Sequence, residues 1–246
     1  MKKRIMASFM ALAFAGTAAA NDGWTGGYVG LSFGQTNADS SQKATLGGNW
    51  SIESTALQTL VTDSLSRGYG ADGNSWGVQG GYDWSVGSNA VFGIALDYQD
   101  LNAKQVDTTT ATYSASLNYT IAQGVEVKDS VSVRARLGYG GERVMPYVSL
   151  GYASTDVDYA TGLASNGGYA KAGGASKNLS GAVWGAGIEF KFNDNWSGQL
   201  DYLNYSNDSV DYVLDYLPGS TFPGYSETIR QELDLDAIRF SVNYRF

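Results

Sequence analysis

The stretch that decides the fold is Asp234–Phe246, which reads DLDAIRFSVNYRF. Side chains on a β-strand alternate between two faces, so Ile238 and Phe240 face one side while Arg239 faces the other. The stretch ends on the aromatic Phe246, and such an apolar edge would invite aggregation in water. The pattern therefore predicts a strand that closes a barrel whose outer face is covered by lipid.

The same period-two alternation recurs along the chain and gives eight predicted strands. They are Gly26–Thr36, Asn74–Val86, Ala90–Leu101, Ser130–Gly140, Pro146–Ser154, Ser180–Phe192, Trp196–Tyr205 and the terminal stretch. Short turns at 86–90, 140–145 and 193–195 alternate with long polar connections at about 37–73, 102–129, 155–179 and 206–233. The segment Thr110–Ile121 also alternates, and we interpret it as strand above the membrane or as a loop hairpin.

This sorting of connections by length predicts an all-β fold: an eight-stranded antiparallel up-and-down transmembrane β-barrel. Short turns would be periplasmic, long loops extracellular, and the even strand number puts both termini on the periplasmic side. A secreted soluble β-sandwich is the remaining alternative, although it gives no reason for connections to alternate in length.

Residues 1–20 have the pattern of a cleaved signal peptide. A basic start, Lys2–Arg4, precedes a short apolar run, and Ala18–Ala20 supply small residues before the expected cleavage after Ala20. A membrane anchor is the alternative, but the apolar run is too short to span a bilayer. We therefore expect residues 21–246 to form the barrel domain of an exported protein.

The amino-acid composition excludes several classes of function. The chain has no cysteine and no histidine, so disulfide frameworks, histidine metal sites and serine–histidine hydrolysis are excluded. Acidic residues number 24 against 16 basic ones, three of which lie in the predicted signal peptide, and this argues against nucleic acid as a partner. We expect no catalytic residues, no metal site, no cofactor and no enzymatic activity.

Ionisable side chains occur repeatedly on the inward-facing rows of the predicted strands. An eight-stranded barrel is barely wide enough for its own side chains, so opposite charges must pair there. The predicted lumen charge network consists of Asp83, Asp97, Arg134, Arg136, Glu189, Lys191, Asp201, Arg239 and Arg245. A structural interior is the simpler interpretation, and a narrow or gated ion path is the alternative.

Aromatic residues mark the ends of the outward-facing rows. Trp76 and Trp84 share a face eight residues apart, or about 26 Å at roughly 3.3 Å per residue. Trp184 and Phe192 repeat the spacing, which suits an apolar band of about 25 Å between two aromatic girdles. The predicted aromatic girdle comprises Trp76, Trp84, Trp184, Phe192, Trp196 and Tyr244.

Five sequence segments give the chain a family resemblance. They are GWTGGYVGLSFG, GGYDW, PYVSLGYA, GAGIEFKFNDNWSGQLDYLNY and FSVNYRF. The chain resembles the small outer-membrane β-barrel proteins of Gram-negative bacteria, the group of OmpA-type barrels, opacity-like proteins and outer-membrane immunogenic proteins. The resemblance implies outer-membrane localisation and an assembly signal at Tyr244 and Phe246, read by the barrel-assembly machinery.

Two further motifs point to no chemistry of their own. Gly68, Gly70 and Gly73 match G-x-G-x-x-G by spacing, but we expect no strand before and no helix after them, so the match is read as coincidental. The last long connection is acidic and is interpreted as a solvated loop; binding of divalent cations or basic partners is the alternative, although the spacing fits no defined calcium loop. Its acidic residues are Asp208, Asp211, Asp215, Glu227 and Glu232, and its aromatic residues, which favour adhesion, are Tyr212, Tyr216, Phe222 and Tyr225.

The leading hypothesis is a monomeric barrel with a structural or surface-interaction role, which presents four extracellular loops. Its expected partners are outer-membrane lipid, lipopolysaccharide and the barrel-assembly machinery, while the extracellular partner is unidentified. The alternative is a low-conductance porin that passes small ions or solutes through the charged lumen.

Overall fold

A computed structural model describes residues 23–246, and the predicted signal peptide lies outside that range. Within the described residues, eight long strands form a closed ring. They are β1 Gly26–Gly48, β2 Gly68–Val86, β3 Ala90–Ser114, β4 Leu117–Tyr139, β5 Val144–Ser165, β6 Ala170–Lys191, β7 Trp196–Asn207 and β10 Tyr225–Arg245. The all-β prediction and the eight-stranded antiparallel barrel are confirmed.

Ring closure joins the first strand to the last. β1 pairs antiparallel with β10 over almost its whole length, from Tyr28 opposite Arg245 to Gly48 opposite Tyr225. Every other strand of the ring pairs with its neighbour in sequence, apart from β7, which pairs with β10 across a short excursion of the chain. The start of β1 and the end of β10 therefore lie at one rim, as predicted.

Two short strands maintain the ring above β7. β8 (Val210–Val213) pairs with β10, and β9 (Asp215–Tyr216) pairs with β6. Both occupy the position between β6 and β10 that β7 leaves at Asn207, so the barrel stays closed towards its upper rim. Here "lower" denotes the rim with the short turns, and "upper" the opposite rim.

The long connections are shorter than the sequence patterns predict, because the strands continue into them. β1 runs to Gly48 rather than ending near Thr36, and β3 runs to Ser114 rather than Leu101. The segment around 110–121 is a hairpin of β3 and β4, in agreement with its alternation. Our strand ends near Thr36, Leu101, Ser154 and Tyr205 are therefore too early. The upper barrel consists largely of strand, with loops only at its tip.

The first upper connection folds into a helix. A 3-10 turn, Asn49–Ile52, precedes α1, Thr55–Leu65. Ser54 caps α1 by accepting a hydrogen bond from the backbone N–H of Leu57 at 3.2 Å. Leu57, Val61 and Leu65 recur every four residues, so they form one buried face. Within residues 23–246, no helix is long and apolar enough to cross a membrane.

The polarity of the barrel wall reverses part-way along the strands. In the lower half the outward side chains are apolar, as Leu31, Phe240 and Val242 illustrate, and the inward ones are polar. In the upper half Leu203, Leu235 and their neighbours point inward and are buried, while outward positions are polar. The apolar lower exterior and the apolar upper interior require two different surroundings: lipid below and water above.

Candidate functional site: the filled lumen and its upper cap

The lower lumen contains a ring of four buried charges, which we call the lower ionic ring. Arg136 on β4 lies 3.1 Å from Asp83 on β2 and 2.6 Å from Glu189 on β6. Arg245 on β10 reaches the same two carboxylates, each at 2.8 Å. Because β2 and β6 are on opposite sides of the ring, each arginine bridges the full width of the barrel. All four side chains are at most 5% exposed.

A second cluster of four charges lies above the first. Asp97 on β3 pairs with Arg134 at 3.1 Å and with Arg239 on β10 at 2.8 Å, and it also accepts a hydrogen bond from Ser132 at 2.6 Å. Arg239 lies 3.7 Å from Asp201 on β7. Each cluster combines two acids with two arginines. Their charges therefore cancel, which buried charges require to offset their desolvation.

Amides and tyrosines outside the predicted charge network connect these clusters. The side-chain amide of Gln79 donates to Asn243 at 2.8 Å and to Gln199 at 3.1 Å, which crosses the lumen from β2 to β10 and β7. Tyr28 accepts from Arg136 at 3.1 Å, and Tyr147 donates to Asp201. Period-two alternation places Gln79, Gln199 and Asn243 on inward rows, and the structure adds the hydrogen bonds that join them across the lumen.

Lys191 is placed differently from the other eight predicted network residues. It points inward but lies half-buried at the lower rim, where its ammonium donates to the carbonyl of Gly23 and lies 4.5 Å from the ring centre of Trp24. The strand reaches its last residue at this position, so the side chain lies below the ionic ring. The paired lumen network thus consists of the eight other residues.

The upper lumen is filled by an apolar core and by α1. Its inward rows supply Ala38, Leu101, Val127, Val157, Leu179, Val183, Leu203, Leu233 and Leu235, all buried. Gln42 on β1 and Gln123 on β4 donate their side-chain amides to the carbonyl of Leu65, at 2.8 and 2.9 Å. The two glutamines therefore hold the C-terminal end of α1 inside the barrel and satisfy a carbonyl that the helix leaves unpaired.

A buried ion pair organises the upper end, which we call the cap. Lys171 on β6 lies 2.7 Å from Glu227 on β10, and both side chains are at most 2% exposed. Glu227 also accepts hydrogen bonds from the indole N–H of Trp50 and the hydroxyl of Tyr169. Burial first, and then this bond to the carboxylate, raise the pKa of Tyr169. The cap ties the first connection to the last two.

Glu227 corrects one prediction. The acidic character of its segment indicated a solvated loop, but Glu227 is fully buried because β10 extends to Tyr225 and turns this position inward. Tyr212 is buried as well, and Tyr225 is half-buried, with its hydroxyl donating to Glu53. That bond raises the pKa of Tyr225 to about 12. Asp208, Asp211, Asp215 and Glu232 are exposed, as expected for a solvated segment.

The tip of the cap exposes apolar side chains. Ile52 is 79% exposed, and Leu217 and Phe222 are about half exposed at 44% and 45%. Asn49 holds the first and last connections side by side: its side-chain amide donates to the carbonyl of Pro223 at 3.0 Å, and its backbone N–H donates to the carbonyl of Gly224 at 2.8 Å. The surface at the top of the barrel is therefore fixed by the cap beneath it.

The glycine motif has no nucleotide-binding geometry. Gly68, Gly70 and Gly73 lie in the first residues of β2, after α1, so a helix precedes them and a strand follows. A dinucleotide site requires the reverse order. Among residues 23–246, no three acidic side chains converge in a way that could hold a metal ion.

Comparison with protein families decides the classification. Residues 6–246 match the family model described as outer membrane protein beta-barrel domain. The chain belongs to this family. The lower rim with its short turns is therefore periplasmic, the cap is extracellular, and the protein is located in the outer membrane.

Curated relatives support the same assignment. The 31 kDa outer-membrane immunogenic protein of Brucella melitensis is 28% identical over 232 residues, which cover 91% of this chain and 84% of the relative. The outer membrane protein OprG from Pseudomonas aeruginosa matches in fold with a TM-score of 0.50 and 10% identity, covering 91% of this chain and 98% of OprG. The outer membrane protease OmpT from Escherichia coli has the same TM-score at 8% identity, covering 94% and 99% of the two chains. Likeness at such low identity shows the fold alone.

The predicted aromatic girdle residues of this outer-membrane barrel all lie on its outer surface. Trp84, Phe192, Trp196 and Tyr244 lie near the periplasmic rim, while Trp76 and Trp184 lie at the other end of the apolar belt. Tyr244 makes edge contacts with Trp196 and Phe246, with ring centres 5.2 Å apart in each case. Tyr244 and Phe246 are outward-facing and accessible at the end of β10.

Proposed function

We propose that this outer-membrane protein is a closed barrel that acts as a surface scaffold, presenting its extracellular cap to a partner. The observation that carries the proposal is the filled lumen. Arg136 and Arg245 bridge opposite walls in the lower ionic ring, a second charge cluster lies above them, and an apolar core with α1 fills the rest. Such an interior favours rigidity over transport.

The cap supplies the surface for interaction. Buried contacts around Glu227 fix the extracellular connections relative to one another, and this rigidity lowers the entropy lost on binding. Ile52, Leu217 and Phe222 provide exposed apolar area at its tip. The Brucella relatives are named outer-membrane immunogenic proteins, which agrees with an exposed surface that other molecules recognise.

A low-conductance porin is the second candidate, and the eight buried charges of the lower lumen favour it. If those pairs exchanged partners, ions could pass from one cluster to the next. The apolar core above the clusters opposes this, since an ion there would lose its hydration without replacement ligands.

Planar-bilayer recording on the refolded protein separates the two candidates. The scaffold proposal predicts no reproducible single-channel steps from the wild-type protein. Steps that disappear in Arg134→Ala or Asp97→Ala, but persist in the surface control Lys104→Ala, would support the porin and overturn the scaffold. Lys104 is a suitable control because its side chain is 61% exposed and its ion pair with Glu126 lies on the outer wall.

The remaining expectations belong to the same proposal. The barrel performs no reaction, it is monomeric, and its apolar belt contacts lipid and lipopolysaccharide. The accessible end of β10, with Tyr244 and Phe246, is the segment that the barrel-assembly machinery would recognise. The refolded protein is tested for turnover of lipid and peptide substrates. Turnover that is lost on substituting a buried lumen residue such as Asp97 would contradict the scaffold role.

A further inference from the structure

Trp24 lies in the segment just before β1, and its side chain fills the periplasmic mouth of the lumen. It precedes β1, yet it is only 2% exposed and packs against Val91, Met145 and Tyr147. A tryptophan in a segment outside the strands has no need to enter a barrel, since its indole could lie at the lipid interface as Trp84 does. Specific contacts must therefore hold the indole inside the mouth.

The mouth is shaped to receive the indole. Its N–H donates to the carbonyl of Gly141 in the β4–β5 turn at 2.8 Å. A side chain at Gly140 would have its Cβ only 2.5 Å from Cδ1 of Trp24, so glycine is required there for the ring to fit. Arg245 of the last strand donates to the Trp24 carbonyl at 2.6 Å, and Lys191 lies over the ring.

These contacts come from widely separated parts of the chain. Residues before β1, the β4–β5 turn, the end of β6 and the end of β10 all meet at Trp24. The full set of contacts around the indole can form only after β10 has paired with β1. Arg245, which holds the Trp24 backbone, is also a member of the lower ionic ring. The indole thus lies between periplasmic water and the four charges of that ring.

We propose that Trp24 is a periplasmic stopper, seated after the ring closes, which keeps water from the lower ionic ring. It acts independently of the extracellular cap and of any partner that the cap binds. Excluding water strengthens the pairing of Asp83, Arg136, Glu189 and Arg245, because the effective dielectric constant around them falls. The barrel is then closed separately at its two ends.

Thiol accessibility tests the stopper, since the wild-type chain has no cysteine that could interfere. Val91→Cys places a reporter in the buried cluster that the indole covers, where valine is 2% exposed. Ser88→Cys in the exposed β2–β3 turn is the matched control for reagent access. Full-length mature protein is refolded in detergent, its folding is checked by heat-dependent gel mobility, and labelling by a small charged methanethiosulfonate is timed.

With Trp24 present, we expect the Val91→Cys reporter to label far more slowly than the Ser88→Cys control. Adding Trp24→Ala should raise its rate on the order of tenfold or more, because a thiol reacts only where water reaches its thiolate. Adding Trp50→Ala, which opens the cap instead, should leave the rate unchanged. Fast labelling with Trp24 present, or an equal effect of the two tryptophan changes, would overturn the proposal.

A second variant covers the case in which Trp24→Ala fails to fold. Gly140→Ala keeps the tryptophan but fills the space its ring requires, so it should displace the indole and also accelerate labelling of the Val91→Cys reporter. Gly162→Ala, on the extracellular part of β5, is the matched control for the loss of a glycine, because its φ is not positive and a Cβ there meets no atom closer than 3.8 Å. No acceleration in a folded Gly140→Ala protein would mean that the indole does not close the mouth.

Discussion

The two halves of the barrel use the same strands with opposite polarity. In the periplasmic half, apolar side chains face outward and charges face inward. In the extracellular half, carboxylates and amides face outward while leucine, valine and tyrosine fill the interior. The backbone hydrogen bonds of β1 and β10 continue through the change without a shift in register. The difference therefore comes from the surroundings, since each wall places its apolar row away from water.

The two halves also fill the narrow lumen in different ways. The lower half uses charges that cancel in two groups of four, which specify partners by geometry but cost desolvation. The upper half uses apolar side chains and an inserted helix, whose burial stabilises the fold through the hydrophobic effect. Single substitutions should therefore act through different mechanisms in the two halves.

The largest expected effect is in the lower half. Asp97→Ala leaves Arg134 and Arg239 buried without their shared carboxylate, and we expect a loss of about 3–5 kcal/mol in unfolding free energy. Urea unfolding of the refolded barrel, followed by gel mobility and tryptophan fluorescence, measures it. The exposed Glu126→Ala, which breaks the surface pair with Lys104, is the control and should cost about 1 kcal/mol or less. Equal losses would mean that the lumen pairs are solvated.

A matched pair of leucines on β7 tests the polarity reversal directly. Leu203→Ala removes a fully buried side chain from the upper core, and we expect a loss of about 2–5 kcal/mol. Leu200→Ala removes the same groups from the lipid-facing belt, where acyl chains fill the space, so its effect should be clearly smaller. The same unfolding assay, in lipid vesicles, compares them. A larger effect at Leu200 would contradict the assignment of inside and outside.

The position of the belt can be tested along β1. Leu31→Lys introduces a charge at the middle of the lipid-facing row, and near the bilayer midplane this should cost about 2–4 kcal/mol. Asp39 lies on the same face above the belt, directly opposite Asp234 on β10. Asp39→Lys replaces a pair of like charges by a pair of opposite charges, so it should be neutral or slightly stabilising. Similar costs at both positions would show that the two halves meet the same surroundings.

The smallest expected effect concerns the helix inside the upper half. Gln123→Ala removes one of the two amides that hold the Leu65 carbonyl, and we expect a loss of about 1 kcal/mol. Hydrogen exchange should show faster opening of α1 with little change in the lower strands. The exposed Gln105→Ala on β3 serves as the control. Unchanged protection of α1 in Gln123→Ala would mean that packing alone retains the helix.

The lower half could be predicted from sequence because lipid imposes one simple rule. Alternation places Arg134, Arg136 and Arg239 inside and the aromatic rows outside, and the structure agrees. The rule fixes the side of the wall, but it does not fix the partners. That Arg136 meets both Asp83 and Glu189 depends on strand tilt and stagger, which no local pattern specifies.

The upper half is harder to predict because its outward row is polar, which is also typical of a loop. A signal is nevertheless present. At Tyr202–Leu203 and Tyr152–Ala153 an outward and an inward apolar residue are adjacent, so the apolar row changes face there. Ser54 followed by the buried face of α1 likewise forms a capped helical pattern. The hydrogen-bond acceptors of the Trp24 and Trp50 indoles lie 117 and 177 positions away, beyond the reach of any local pattern.

We expect ring closure to slow the folding of this protein. Most strand pairs join neighbours in sequence, but the bond between Arg245 and Trp24 spans 221 positions. Contacts of that separation carry a large loop-closure cost and slow folding. Until the first and last strands meet, one edge of β1 and one edge of β10 are unpaired, and the lower ionic ring lacks Arg245. The final seam should therefore be the rate-limiting step of barrel biogenesis, and the stage most open to misassembly.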